Sequence, residues 1–268
     1  KEREEQSFEA VNIMQQLVDE YPESPVFKLF LASLYQQMNK IDESITLTNS
    51  ELAQNTNSLQ NEMNKGAYSL LGTAYFRKND FAGAITNFEE HMKYVHNDDR
   101  YNVSLFLLGL SYELSGNRQQ ALERYSNLRD KFTGERDGEG EKFFLRLAEQ
   151  RKGRGMNKFD SLLITTMNLR ECGKIDEAIE WYKQLLEPAN TSHNLTSDDK
   201  VKIYFELGNT YFIKNDLKSA EEYYKKCVDT PAEMETWIKP HSMFELGKIY
   251  RIQGKLKESN DMFEEMKD

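Results

Sequence analysis

The chain predicts an all-α fold, a right-handed solenoid of antiparallel helix pairs, and three observations carry that prediction. A Leu-Gly pair recurs at Leu71-Gly72, Leu108-Gly109, Leu207-Gly208 and Leu246-Gly247, each with a tyrosine three residues after the glycine, at Tyr75, Tyr112, Tyr211 and Tyr250. Twelve positions beyond each glycine stands a small residue, and an aromatic follows four later: Ala84 with Phe88, Ala121 with Tyr125, Ala220 with Tyr224, and Ser259 with Phe263. No stretch reads as a convincing strand. The residue types fit helical hairpins, because Gly and Ala allow the two helices of a pair to cross closely while Tyr and Phe fill the hollows between neighbouring pairs.

This spacing is similar to the L-G-x2-Y…A-x3-F signature of the tetratricopeptide repeat. Weaker copies extend the array. Ala32 and Tyr35 take the Gly and Tyr places of an earlier repeat, with Ser44 at its Ala place; Thr166 and Leu169 precede Gly173 in a turn, followed by Ala178 and Tyr182. Ala10, Met14, Leu17 and Pro22 fit the second half of a further repeat. The expected organisation is therefore a half repeat plus three repeats over 1–132, an insertion over 133–158, and three repeats over 159–268. The chain starts within a repeat, lacks an initiator Met and stops after the last second helix with no polar cap, so the expectation is a piece of a longer protein.

Charge and composition exclude several function classes. Forty-five acidic residues against 35 basic ones give a net charge of −10. That balance argues against a general nucleic-acid grip, which needs clustered positive charge. No run of eighteen apolar residues exists, so no membrane-spanning helix is expected. Cys172 and Cys227 fall in different repeats and read as reduced thiols of a cytoplasmic protein rather than a disulfide. Of three glycosylation-type triplets, at Asn102, Asn190 and Asn194, the first lies inside an expected helix, and all three read as chance. Catalysis finds no support. His91, His96, His193 and His241 are scattered, and acid pairs such as Glu89-Glu90 point different ways around a helix. The expectation is a non-enzyme with no cofactor and no metal.

A local basic patch occupies the insertion. The glycine-to-glycine step of 37 residues swells to 57 between Gly109 and Thr166. After glycines at 134, 138 and 140 comes a short amphipathic helical stretch with Phe143, Phe144 and Leu147 on one face. Lys142, Arg146, Arg151, Lys152 and Arg154 are its candidates for an anionic surface. The competing reading is an extra helix wedged between two half-arrays with its charges solvated.

Binding remains, and in this architecture the first helix of each pair lines the groove. Positions three before, one after and four after each repeat glycine give Ser69, Thr73 and Phe76; Phe106, Leu110 and Glu113; Phe205, Asn209 and Phe212; and Phe244, Lys248 and Arg251. Chaperone-type repeat domains clamp a C-terminal carboxylate with Lys, Asn and Arg at such positions, and Phe106, Phe205 and Phe244 replace the Lys here. An apolar stripe suits an extended or helical partner segment. The alternative is that these aromatics pack against one another or against a helix outside the given sequence.

Three stretches carry a narrower resemblance. Tyr21-Pro22-Glu23-Ser24-Pro25-Val26-Phe27-Lys28-Leu29-Phe30, Glu141-Lys142-Phe143 with Arg146, and Trp237-Ile238-Lys239-Pro240-His241-Ser242-Met243-Phe244-Glu245-Leu246-Gly247 resemble the tetratricopeptide-repeat protein 39 family, which includes the fungal inclusion-body clearance protein. That resemblance implies a non-enzymatic scaffold in protein quality control, with protein partners and a lipid-droplet or mitochondrial surface as a setting. The function expected is a protein-interaction scaffold in the cytoplasm. The alternatives are a peripheral organelle-surface protein that uses the basic insertion and a rigid subunit of an obligate complex.

Overall fold

The computed structural model describes residues 2–52, 58–95, 101–128, 139–187 and 195–266. Among them run fourteen helices and no strand: α1 (Glu2–Glu20), α2 (Pro25–Gln37), α3 (Ile41–Leu52), α4 (Ser58–Arg77), α5 (Phe81–Tyr94), α6 (Asn102–Leu114), α7 (Arg118–Ser126), α8 (Glu139–Gly153), α9 (Lys158–Glu171), α10 (Ile175–Leu185), α11 (Ser197–Ile213), α12 (Leu217–Asp229), α13 (Ile238–Ile252) and α14 (Leu256–Glu265). They form two compact units, residues 1–156 and 157–268. In the first, α2–α3, α4–α5 and α6–α7 are antiparallel hairpins; in the second, α9–α10, α11–α12 and α13–α14 are. The stacking rule is the same in both units. Each new first helix lies against both helices of the hairpin before it: α4 on α2 and α3, α6 on α4 and α5, α11 on α9 and α10, α13 on α11 and α12. The result is the all-α solenoid packing expected.

The glycine of each repeat is set by a single close approach. A methyl group on Gly72 would stand 2.6 Å from the Phe88 ring, on Gly109 2.5 Å from Tyr125, on Gly208 2.7 Å from Tyr224, and on Gly247 2.6 Å from Phe263. Real side chains do not tolerate such distances between carbons, which rest at about 3.5–4.0 Å. The aromatic sixteen residues on thus lies directly against the glycine of its own hairpin, rather than filling a hollow between hairpins as the spacing alone suggests. In the α2–α3 hairpin the residues at the corresponding positions are Ala32 and Thr48, both buried, so a larger first-helix residue is matched with a smaller one on the second helix.

A second device closes every hairpin. Asn39, Asn79 and Asn215 have φ of 60°, 60° and 65°, and Gly116, Gly173 and Gly254 have 82°, 76° and 76°. Glycine has no Cβ to oppose that left-handed geometry, and Asn tolerates it better than most residues. The next residue donates its backbone N–H to a carbonyl five residues back, as in Lys40 to Tyr35 (2.8 Å), Asp80 to Tyr75 (3.0 Å), Asp216 to Tyr211 (2.9 Å) and Lys255 to Tyr250 (2.8 Å). The repeat tyrosine therefore serves the turn through its main chain. This is a Schellman-type helix end, followed at once by a side-chain cap at Asp80, Asn117 or Asp216 on the next helix.

The insertion opens as helix α8, whose first turn includes Gly140. Gly140 is helical, and residues 133–138 of the insertion lie outside the described residues. Helix α8 packs on both α6 and α7, the relation a first helix has to the hairpin before it. Phe144 meets Phe106 with ring centroids 5.5 Å apart, and Ala148 is fully covered. Polar contacts fix its far end. Arg118 donates from Nη2 to the carbonyls of Arg151 (2.6 Å) and Lys152 (3.3 Å), a cation placed on the negative end of the helix dipole. Its Nη1 donates to Glu113 Oε1 at 2.6 Å, and the same buried carboxylate accepts the Tyr125 hydroxyl at 2.9 Å and the Met156 N–H at 3.0 Å.

Replacing Gly208 by Leu should destabilise the second unit by about 1–3 kcal/mol, the range for an overpacked core. Because repeats couple to their neighbours, hydrogen exchange should accelerate most in residues 157–268; equal loosening of 1–156 would count against nearest-neighbour stacking.

Buried tyrosines give a pH dependence. Burial, then the nearby Glu113, pushes the Tyr125 hydroxyl well above its ordinary value; burial and Glu206 do so for Tyr182, and burial and Glu245 for Tyr224. Their folded-state pKa values exceed the unfolded value near 10, so their contribution to stability is intact below pH ~10 and is lost as pH rises beyond it. Alkaline titration should show the slow tyrosinate absorbance at 295 nm rising together with loss of helical circular dichroism. Ionisation of all fourteen tyrosines before any loss of helix would contradict this packing.

For α8, Glu113→Ala strands three donors, and each one left buried without a partner costs about 1–3 kcal/mol. Phe144→Ala, at a half-buried ring, should cost less than the about 3–5 kcal/mol of full burial. The triple reversal Arg151→Glu, Lys152→Glu, Arg154→Glu should leave vesicle binding unchanged. Salt-sensitive binding of the wild type to anionic vesicles, abolished by that reversal, would transfer the insertion to the surface-anchor reading.

Candidate functional site

The residues expected to line a groove separate into two groups. Phe76, Phe106 and Leu110 are buried, at 6%, 5% and 6% exposure. Phe76 meets Phe81 edge-on with centroids 5.7 Å apart, and Phe106 is held between Tyr125 (5.7 Å) and Phe144 (5.5 Å). Their assignment to an open groove is corrected accordingly. The position three before the glycine points at the following helix, so in a filled stack its ring is covered. Phe205 repeats this arrangement in the second unit, edge-on to Trp237 of the following repeat at 5.5 Å. Glu113, four after its glycine, also turns inward, to the contacts described above.

Asn209, Phe212 and Lys248 are half-buried, and Arg251 and Phe244 are exposed. They belong to the first helices of adjacent hairpins, α11 and α13. The Lys248 ammonium lies 5.2 Å from the Phe212 ring centroid and 5.4 Å from that of Phe244, and bonds the Glu245 carboxylate at 2.6 Å. A cation between two aromatic faces holds both rings in place. Asn209 Oδ1 accepts the Tyr224 hydroxyl at 2.7 Å, which fixes the amide orientation and leaves its NH2 group as a donor. One step back along the unit, Arg170 of α9 is salt-bridged to Glu206 of α11, both largely covered. The strip therefore carries rings, a fixed amide and cations, of which Lys248 and Arg170 are partly neutralised by a neighbouring carboxylate. Sequence reading missed the Trp237 contribution, although Trp237 opens the last repeat immediately before α13.

The basic candidates lie on α8 and, for Arg154, just past its end, and Phe144 and Ala148 of that helix are already packed. Arg146 and Arg154 are exposed, and Arg151 and Lys152 are half-buried. Lys152 pairs with Glu149 on its own helix. Lys142 lies in the first turn of α8, and its side chain, like that of Phe143, lies outside the described residues.

Chemically reactive groups do not converge. Among the described residues no group of three His, Cys, Asp or Glu could hold a metal ion, and no helix is long and apolar enough to cross a membrane. His91 is buried with Nδ1 against the Lys65 carbonyl at 2.9 Å. Burial pushes the Cys227 thiol up to about 12, so it is no nucleophile at neutral pH. Asn102 is fully covered inside α6, closed to glycosylation; Asn190 and Asn194, like His96 and His193, lie outside the described residues.

Family models described as tetratricopeptide repeat match residues 2–24, 103–134 and 201–232. No curated protein matches the chain. Solved structures do. A tetratricopeptide repeat protein from Parabacteroides merdae is 12% identical over 99% of this chain and 87% of its own, with a TM-score of 0.41. The C-terminal part of a TPR repeat-containing protein from Cytophaga hutchinsonii is 14% identical over 89% and 77%, with a TM-score of 0.36. YrrB, described as a TPR protein with an unusual peptide-binding site, is 16% identical over 85% and 96%, with a TM-score of 0.37. The repeat spacing, the ring-on-glycine hairpins and the three matched segments together support the tetratricopeptide-repeat superfamily for this chain.

Proposed function

We propose that the chain is a non-catalytic protein-interaction scaffold whose second unit takes a partner segment along the first-helix face of α11 and α13. One observation carries this reading: Asn209, Phe212, Lys248 and Arg251 keep solvent access on adjacent hairpins, while neighbours hold the first three in fixed geometry. Half-covered aromatics with a preset amide and cation suit an extended segment, whose backbone bonds the amide and whose side chains settle on the rings. The resemblance of the Trp237–Gly247 stretch to the tetratricopeptide-repeat protein 39 family suggests protein quality control in the cytoplasm as the setting, with inclusion-body clearance as the process. The organelle-surface alternative draws no support from the described part of α8, where Phe144 meets Phe106 of α6 and Ala148 is covered.

Affinity capture with mass spectrometry tests the proposal, comparing wild type with the variant Asn209→Ala, Phe212→Ala, Arg251→Glu. Partners specific to the wild type should be lost while the variant keeps its helical circular dichroism and melts at a somewhat lower temperature, because Asn209→Ala removes the acceptor of the buried Tyr224 hydroxyl and Phe212 packs against the core of the unit. Partners retained in full by a normally folded variant would overturn the assignment to this strip.

A further inference from the structure

We draw no further inference here: the strongest candidate, the Tyr182 hydroxyl buried without a hydrogen-bond partner among the described residues next to the Arg170–Glu206 pair of the second unit, belongs to the first-helix strip already described, and nothing in the structure shows what group would reach it.

Discussion

Each full repeat rests on one contact, an aromatic ring of the second helix lying on the glycine of the first. The four glycines have no room for a methyl group, because ring carbons already occupy its place at 2.5–2.7 Å. Their small-residue counterparts twelve positions on, Ala84, Ala121, Ala220 and Ser259, are almost wholly covered as well. Close crossing brings the two backbones together, and the ring then fills the space along the seam, so one spacing in the sequence determines both the angle of the pair and its burial. The left-handed Asn or Gly at the turn, seven residues after the repeat glycine, allows the second helix to return at the distance this contact needs.

Coupling between repeats uses different residues. First helices are cross-linked by Gln36, which donates to the Leu70 carbonyl at 2.9 Å, by Arg77, which donates to the Gln36 carbonyl at 3.1 Å, and by Arg170 with Glu206. Aromatic residues three before the glycine are covered by the next helix, as Phe106 and Phe205 are. Stability in such a stack is a sum of hairpin and interface terms. A change at one interface therefore alters one step without unfolding the rest.

The hairpins were legible in the sequence because their contacts are local: glycine, small residue and aromatic recur at fixed separations within one pair. The left-handed turn residues were legible too, since Asn39, Asn79, Gly116, Gly173, Asn215 and Gly254 all stand seven after the repeat position, although only Gly173 was read as a turn. The groove was less legible. A helical period places Phe106 and Phe205 on the first-helix face without separating the side turned to the next hairpin from the side left to solvent. Glu113 shows the same limit: its burial depends on Arg118, Tyr125 and Met156, and on α8 arriving over that repeat.

A double-mutant cycle on Gly72 and Phe88 measures the ring-on-glycine contact directly. Gly72→Ala should destabilise the wild-type chain, because the added methyl displaces the ring. In a Phe88→Thr background, which copies the Ala32 and Thr48 combination of the α2–α3 hairpin, the same substitution should be nearly neutral or stabilising, through relief of the clash and the better helix propensity of Ala. The coupling energy read from urea denaturation should reach about 1 kcal/mol or more, within the range for residues in contact. Additive effects of the two substitutions would contradict the contact as the constraint on which the repeat depends.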